Sequence, residues 1–313
     1  MWRMGIVAVL LAFGTGCVSL TPFAEVRARA GEDAFVRVGD QLVHVERAGS
    51  GEAVVLIHGF GGSSWSWRHV VPALAEDHRV VALDLNGFGW TERPREPAAY
   101  TLDGQARLVL GLLDALGLDR IHLVGHSYGG GLALWIAANH PERLRSLVLV
   151  DSTLPAYSVE RRSSVAAWRP LVAAFLRTVA LRPSFVRRGL LRSVADPAVV
   201  TDELVAGYLE RLKVDGATDA YHGLTANVDG PRPEVDLGSI GVPTLVVWGA
   251  DDGLLAADHG EQAARAMPDA RFVAIPGCGH LPMEENPAAL LAAIRPFLAE
   301  ASRLAGLHTN NRP

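Results

Sequence analysis

Leu123-Val124-Gly125-His126-Ser127-Tyr128-Gly129-Gly130 reads as a buried strand that stops, turns sharply and starts a helix, with Ser127 at the turn. Ile121, Leu123 and Val124 supply the apolar run of a strand, and Leu132, Trp135 and Ile136 then return at helical spacing. Gly125 and Gly129 flank the serine in a G-x-S-x-G pattern, because side chains beside so tight a turn would collide with the opposing backbone. Such a turn exposes the hydroxyl. The helix behind it aims free N–H groups and a positive dipole end at any oxyanion alongside. The plain alternative is a Gly-rich turn that happens to hold a serine, and the strand–turn–helix context argues against it.

Outward from this turn, apolar runs alternate with helical stripes. Residues 54–57, 80–83 and 147–150 are continuous apolar runs of the kind that form strands buried on both faces, and 121–124, 244–248 and 271–275 are largely apolar runs that also read as strands. Residues 35–38 and 42–46 alternate around Gly39-Asp40 and read as a hairpin. Helices are expected after Ser63 or Ser64 with Trp67, Val70, Val71 and Leu74 inward, after Thr101, over 256–266, and from Asn286-Pro287 onward. Strands alternating with helices predict an α/β fold, a mostly parallel eight-stranded sheet with helices on both faces.

The alternation breaks over 152–240. That stretch has no strand signal, but helical stripes follow Pro170 and Asp196-Pro197, the later one carrying Leu204, Val205, Tyr208, Leu209 and Leu212. It reads as a helical cap inserted between two strands. The core is then 34–151 and 241–304, with 17–33 a linker and 305–313 a frayed tail. Arg161, Arg162, Arg169, Arg177, Arg182, Arg187, Arg188 and Arg192 make the first half of the cap basic. This suits either contact with anionic lipid or an acidic substrate, or simply a solvated face in a chain whose only lysine is Lys213.

The bulk numbers agree with one large globular unit. The chain has 313 residues, 49% hydrophobic and 20% charged, which excludes a disordered chain, and a net charge of −5, which gives no general pull on nucleic acid. Its two cysteines, Cys17 and Cys278, are too few for a disulfide framework or a cysteine zinc cluster. Arg3 followed by an apolar run over 4–13 fits the core of a secretory signal and is too short to span a bilayer, which takes about 20 residues. Gly14-Thr15-Gly16-Cys17 resembles a bacterial lipoprotein cleavage box, with Gly14 where that pattern prefers Leu. The resemblance implies a signal peptide over 1–16, lipidation of Cys17, export, and a membrane anchor on the bacterial cell envelope.

A serine hydroxyl needs a base within hydrogen-bond reach and a third group to orient that base. Strand ends converge on one edge of a parallel sheet, so a carboxylate and a histidine just past later strands are sought. Asp252 and His280 satisfy this, giving the order Ser127, Asp252, His280. The sequence over about 34–300 resembles the α/β-hydrolase superfamily. His58-Gly59-Phe60-Gly61-Gly62 is similar to its oxyanion loop. Asp84-Leu85-Asn86-Gly87-Phe88-Gly89-Trp90-Thr91 resembles its D-x-x-G-x-G-x-S segment, with Thr91 in the serine place. Trp248-Gly249-Ala250-Asp251-Asp252 resembles its acid loop, and residues 277–285 its histidine loop.

The resemblance implies acyl transfer. Ser127 attacks a carbonyl, His280 is the base, Asp252 orients it, and the backbone N–H groups of Phe60 and Tyr128 bind the oxyanion, with no metal or cofactor needed. Asp252 sits four places after Trp248, as the family's W-G-x-x-D pattern has it; Asp251 and Asp151 are its rivals. His58 and His126 read as loop-holding residues, and Cys278 as a small buried hydrophobe rather than a reactive thiol. Serine at 127 argues against haloalkane dehalogenases and most epoxide hydrolases of this fold, which place aspartate there. Carboxylic ester hydrolysis on a small-molecule substrate is the expected reaction. C–C bond hydrolysis of ring-cleavage products, a lipase acting on membrane lipid, and a non-catalytic small-molecule binding protein are the alternatives.

Overall fold

A computed structural model describes residues 18–154, 179–228 and 235–310. The signal-like segment, Cys17 and the arginines at 161, 162, 169 and 177 lie outside the described residues.

The sheet holds eight strands in the order β1 (Phe35–Val38), β2 (Gln41–Ala48), β4 (Arg79–Leu83), β3 (Ala53–Ile57), β5 (Ile121–His126), β6 (Leu144–Val150), β7 (Thr244–Gly249) and β8 (Ala270–Ile275). β1 and β2 pair antiparallel, as do β2 and β4, and every later pairing is parallel. The expected hairpin and all six apolar runs are therefore strands. Along β3, Val55 and Ile57 pack into one core and Val54 and Leu56 into the other, so the run is apolar because both of its faces are covered.

The first core lies under α3 (Leu102–Ala115), α4 (Tyr128–Asn139) and α8 (Ala257–Ala266). The second lies under α10 (Pro287–Asn310), which contributes Leu290, Ile294, Phe297 and Leu298. Thr101 caps α3 by accepting the Gly104 N–H at 3.0 Å, and Asn286 caps α10 by accepting the Ala289 N–H at 3.0 Å. The chain steps outward from β3 to β4 and returns on the other side of β3 as β5. The carboxyl ends of β3 and β5 thus flank the crevice where ligands bind in open α/β sheets.

Between β6 and β7 lie α5 (Pro183–Ser193), α6 (Asp202–Leu212) and α7 (Ala217–Val228), the described part of the expected cap. Val186, Leu190, Leu204, Val205 and Leu209 join it to the second core. The stripe following Pro170 lies outside the described residues.

Three expectations change. The stretch read as a linker contains α1 (Phe23–Ala30), which buries Val26 and is tied to α6 by an Arg29–Glu210 ion pair at 2.9 Å. The single helix expected after Ser63 is split into a 3-10 turn, Ser64–Trp67, and one turn of α-helix, α2 (Val71–Leu74), because Pro72 has no N–H to continue the ladder and fits only at a helix start. The tail read as frayed from 305 instead continues α10 to Asn310. Among the described residues no helix is long and apolar enough to cross a membrane.

Candidate active site

Ser127 follows β5 and precedes α4 with φ 51° and ψ −116°, a left-handed conformation that costs a non-glycine residue of order 1–3 kcal/mol. The strain is held by the surroundings. The Ser127 N–H donates to Val150 O at 2.9 Å, and Ser127 O accepts from the N–H groups of Gly131 and Thr153 and from the Thr153 hydroxyl. A Cβ on Gly125 would lie 2.4 Å from Gly129 O, and one on Gly129 would lie 2.4 Å from His58 O. Both glycines are therefore required by close approach of backbone to backbone.

The three side chains singled out from the sequence meet here. Ser127 Oγ lies 2.9 Å from His280 Nε2, and His280 Nδ1 lies 2.7 Å from Asp252 Oδ2. The second oxygen of Asp252 accepts from the N–H groups of Leu254 at 2.7 Å and Leu255 at 3.0 Å. Burial works to raise the Asp252 carboxyl, but the His280 contact and these two amides outweigh it and hold it below the usual carboxylate range. An ionised carboxylate accepts from Nδ1–H. That places the imidazole proton on Nδ1 and leaves Nε2 to accept from the serine hydroxyl. The arrangement can deprotonate a hydroxyl as it attacks an electrophile.

Of the two rivals, Asp251 is exposed. Asp151 directly follows β6, is fully buried, has φ 42°, and accepts the Gly249 N–H at 2.9 Å. Burial above all, and the neighbouring Asp252 charge, push its carboxyl well above the usual range, so it is neutral beside an ionised Asp252. Oxygens of both aspartates and a ring nitrogen of His280 lie within 4.8 Å of one another, the one set among the described residues near enough to hold a metal. Coordination there would compete with the Asp252–His280 hydrogen bond.

The remaining candidates fall into place as supports. His58 Nε2 accepts the Leu85 N–H at 3.1 Å while Nδ1 reaches Gly59 O at 2.7 Å, so the ring is spent on its own loops. His126 donates from Nε2 to His280 O at 2.7 Å; burial, then the nearby His280, lowers it to about 3 and keeps it neutral. Cys278 is fully buried, and burial, then the charge of Glu285, pushes its thiol up to about 12, so it is inert as a nucleophile at neutral pH. Asp84 is held well below the usual range: burial opposes ionisation, but His44 at 2.8 Å and the Ser64 and Trp90 N–H groups win. Thr91, in the family's serine place, donates to Asp84 O at 2.7 Å and accepts the His44 N–H at 2.9 Å, so the departure keeps the loop's hydrogen bonds.

Phe60 is 49% exposed, and its ring meets Phe88, Tyr128 and Tyr221 of the cap, with centroids 5.3, 6.4 and 6.5 Å away. These rings form an aromatic wall beside Ser127. Sequence reasoning missed how the cap holds the histidine loop. The His280 N–H donates to Ser193 O, the last residue of α5, at 2.8 Å. Glu285 accepts from Gly279 N at 2.8 Å and from the cap amides Ala195 N at 2.6 Å and Asp196 N at 3.3 Å. Beside it Glu284 takes both Arg68 nitrogens, at 2.8 and 2.7 Å, and the Tyr208 hydroxyl at 3.2 Å. Glu284-Glu285 is visible in the sequence as an acidic pair just before a helix cap, but its partners are far away in the chain.

A family model described as the alpha/beta hydrolase fold matches residues 52–287. The chain is 36% identical over 249 residues to the dihydrolipoyllysine-residue acetyltransferase component of the acetoin cleaving system of Pseudomonas putida, covering 78% of this chain and spanning 63% of that relative's length. It is 32% identical over 275 residues to the 2-hydroxy-6-oxo-6-phenylhexa-2,4-dienoate hydrolase of Burkholderia cepacia, covering 82% of this chain and 91% of the relative. Among solved structures, a serine hydrolase involved in carbazole degradation superposes with a TM-score of 0.70 at 28% identity, covering 85% of this chain and 97% of the other.

Proposed function

The chain belongs to the alpha/beta hydrolase fold family, and from that premise we propose that it hydrolyses a bond to a carbonyl carbon through an acyl-enzyme on Ser127. The observation that carries this is the unbroken hydrogen-bond chain from Ser127 Oγ through His280 to Asp252. His280 takes the serine proton as Oγ attacks, and the ionised Asp252 stabilises the imidazolium. The N–H groups of Phe60 and of Tyr128, at the start of α4, receive the oxyanion; losing one such donor typically costs about 100- to 1000-fold in rate. His280 then protonates the leaving group, and water activated by the same imidazole releases the acid.

For the substrate, C–C hydrolysis of an aryl 2-hydroxy-6-oxo-dienoate has the better support. The Burkholderia relative is named for that reaction, and the aromatic wall beside Ser127 suits a ring attached to the attacked carbonyl. Attack at C6 of the keto tautomer breaks the C5–C6 bond, and the electron pair left on C5 is delocalised toward the C2 carbonyl and protonated. Water then releases the aryl carboxylate.

Ester hydrolysis is the second reading, and one observation favours it. The arginines between cap and core are already engaged: Arg68 with Glu284, Arg93 with the carbonyls of Gly89, Thr91 and Arg211, and Arg211 stacked between Trp65 and Trp90. An ester needs no cation for a distal carboxylate.

The test is to follow loss of the conjugated absorbance of 2-hydroxy-6-oxo-6-phenylhexa-2,4-dienoate, and release of p-nitrophenolate from acetate to palmitate esters, for the full chain and Ser127→Ala. Dienoate turnover abolished by the substitution supports the first reading, and ester turnover alone supports the second. Turnover of either that survives Ser127→Ala would sink the mechanism.

A further inference from the structure

One face of the cap is built unlike the rest of this acidic protein. Helix α5 spans eleven residues and carries Arg187, Arg188 and Arg192, with Arg182 just before it and no acidic residue within it. At 3.6 residues per turn, Val186 and Leu190 fall on one side and are buried in the second core. The opposite side presents Phe185, Arg188, Leu191 and Arg192 as one contiguous exposed face, with Phe185 42% and Leu191 41% exposed. Arg187, at the margin, is held by Val200 O and Asp202, whereas Arg188 and Arg192 enter no ion pair among the described residues. Two large apolar side chains set among arginines form the pattern of a helix that lies in a lipid–water interface with its cations on anionic headgroups.

The path of the chain supplies an independent reason for that partner. Only four residues beyond Cys17, Thr21 is bridged to Val214: its N–H donates to Lys213 O at 2.6 Å, and its carbonyl accepts the Asp215 N–H at 2.9 Å. Lys213 directly follows α6, the helix against which α5 packs. The described chain is therefore pinned to the cap at Thr21. An anchor at Cys17 would bring the cap toward the bilayer, with at most about 14 Å of extended chain between Cys17 and the pinned Thr21.

We propose that the α5 face docks on an anionic lipid surface. The surface is independent of which carbonyl substrate Ser127 attacks. It also has a route to the site, since α5 ends at Ser193, whose carbonyl holds the His280 backbone N–H.

The experiment is hydrogen exchange by mass spectrometry on the full chain, free and bound to vesicles of phosphatidylcholine alone or mixed with phosphatidylglycerol. Anionic vesicles are expected to slow exchange across 183–193 about fivefold or more, the effect that one surface arginine contributes against anionic lipid. Neutral vesicles should not do so. Arg188→Glu with Arg192→Glu should abolish the slowing while a soluble phosphonate still labels Ser127 at the unaltered rate. Equal exchange on both lipids, failure to bind anionic vesicles, or protection that survives the double substitution would each overturn the proposal. Slowing that appears without lipid and rises with protein concentration would also overturn it, by showing a second copy to be the partner.

Discussion

Replacing Asp252 with Asn should silence Ser127 almost completely, whereas replacing Asp151 with Asn should leave it nearly unchanged. Asp252 uses both oxygens, one for Leu254 N and Leu255 N and the other for His280 Nδ1. In Asp252→Asn the single amide oxygen stays with the two N–H donors, because turning the NH2 toward them would set donor against donor. The NH2 then faces Nδ1, which must become the acceptor, and the imidazole proton moves to Nε2. A protonated Nε2 cannot accept from Ser127 Oγ. The same tautomer error is worth about 10,000-fold in serine hydrolases, or about 5.5 kcal/mol of barrier.

Asp151 is different because it is already neutral in the folded protein. Asn is close to isosteric with that acid, and its oxygen can still accept the Gly249 N–H. A loss within about tenfold is expected. The assay is p-nitrophenolate release from a p-nitrophenyl phosphonate, which reports nucleophile activation whatever the natural substrate, with circular dichroism to show that each variant folds. Inactivation by Asp151→Asn together with near-normal labelling of Asp252→Asn would falsify the assignment and move the acid to the end of β6.

Three further outcomes follow from the same geometry. Glu285→Gln keeps one acceptor oxygen where three N–H groups converge, so kcat should fall about 10- to 100-fold by misplacing His280, with the unfolding midpoint changed little; an unaltered kcat would show that the cap segment at 195–196 does not position the histidine. Gly125→Ala puts a methyl 2.4 Å from Gly129 O and should lower stability by about 1–3 kcal/mol or more in urea unfolding, together with phosphonate labelling; a neutral substitution would refute the close approach. Stability should fall on acidification from about pH 6.5 toward 4. Burial lowers His122 to about 4 against its Glu52 contact, and lowers His126 to about 3, so across that window the unfolded chain binds protons that the folded chain excludes. His122→Gln should flatten the slope of unfolding free energy by up to about 1.4 kcal/mol per pH unit, and an unchanged slope would remove His122 from the account.

Local constraints along the chain were enough to fix the sheet and to place Ser127, Asp252 and His280, in that order, past the ends of its strands. Strands buried on both faces cannot alternate, so their apolar runs stand out, and a turn as tight as that at Ser127 tolerates only small neighbours. Those constraints are local and leave local marks. The family's acid-loop pattern likewise picked out Asp252 ahead of Asp251 and Asp151. Folding then decided what spacing along a chain cannot. Asp151 and Asp252 both follow strands, but burial and the neighbouring Asp252 charge make the first neutral while His280 and two amides keep the second ionised. His44 is 40 residues from Asp84, and Glu285 is 90 from Ala195, so neither contact leaves a sequence period. The α1 helix and the last turns of α10 were not legible in the sequence, α1 because it buries a single residue, Val26. Only folding pairs Thr21 with Val214, because that contact depends on where an inserted cap comes to rest, 193 residues further along the chain.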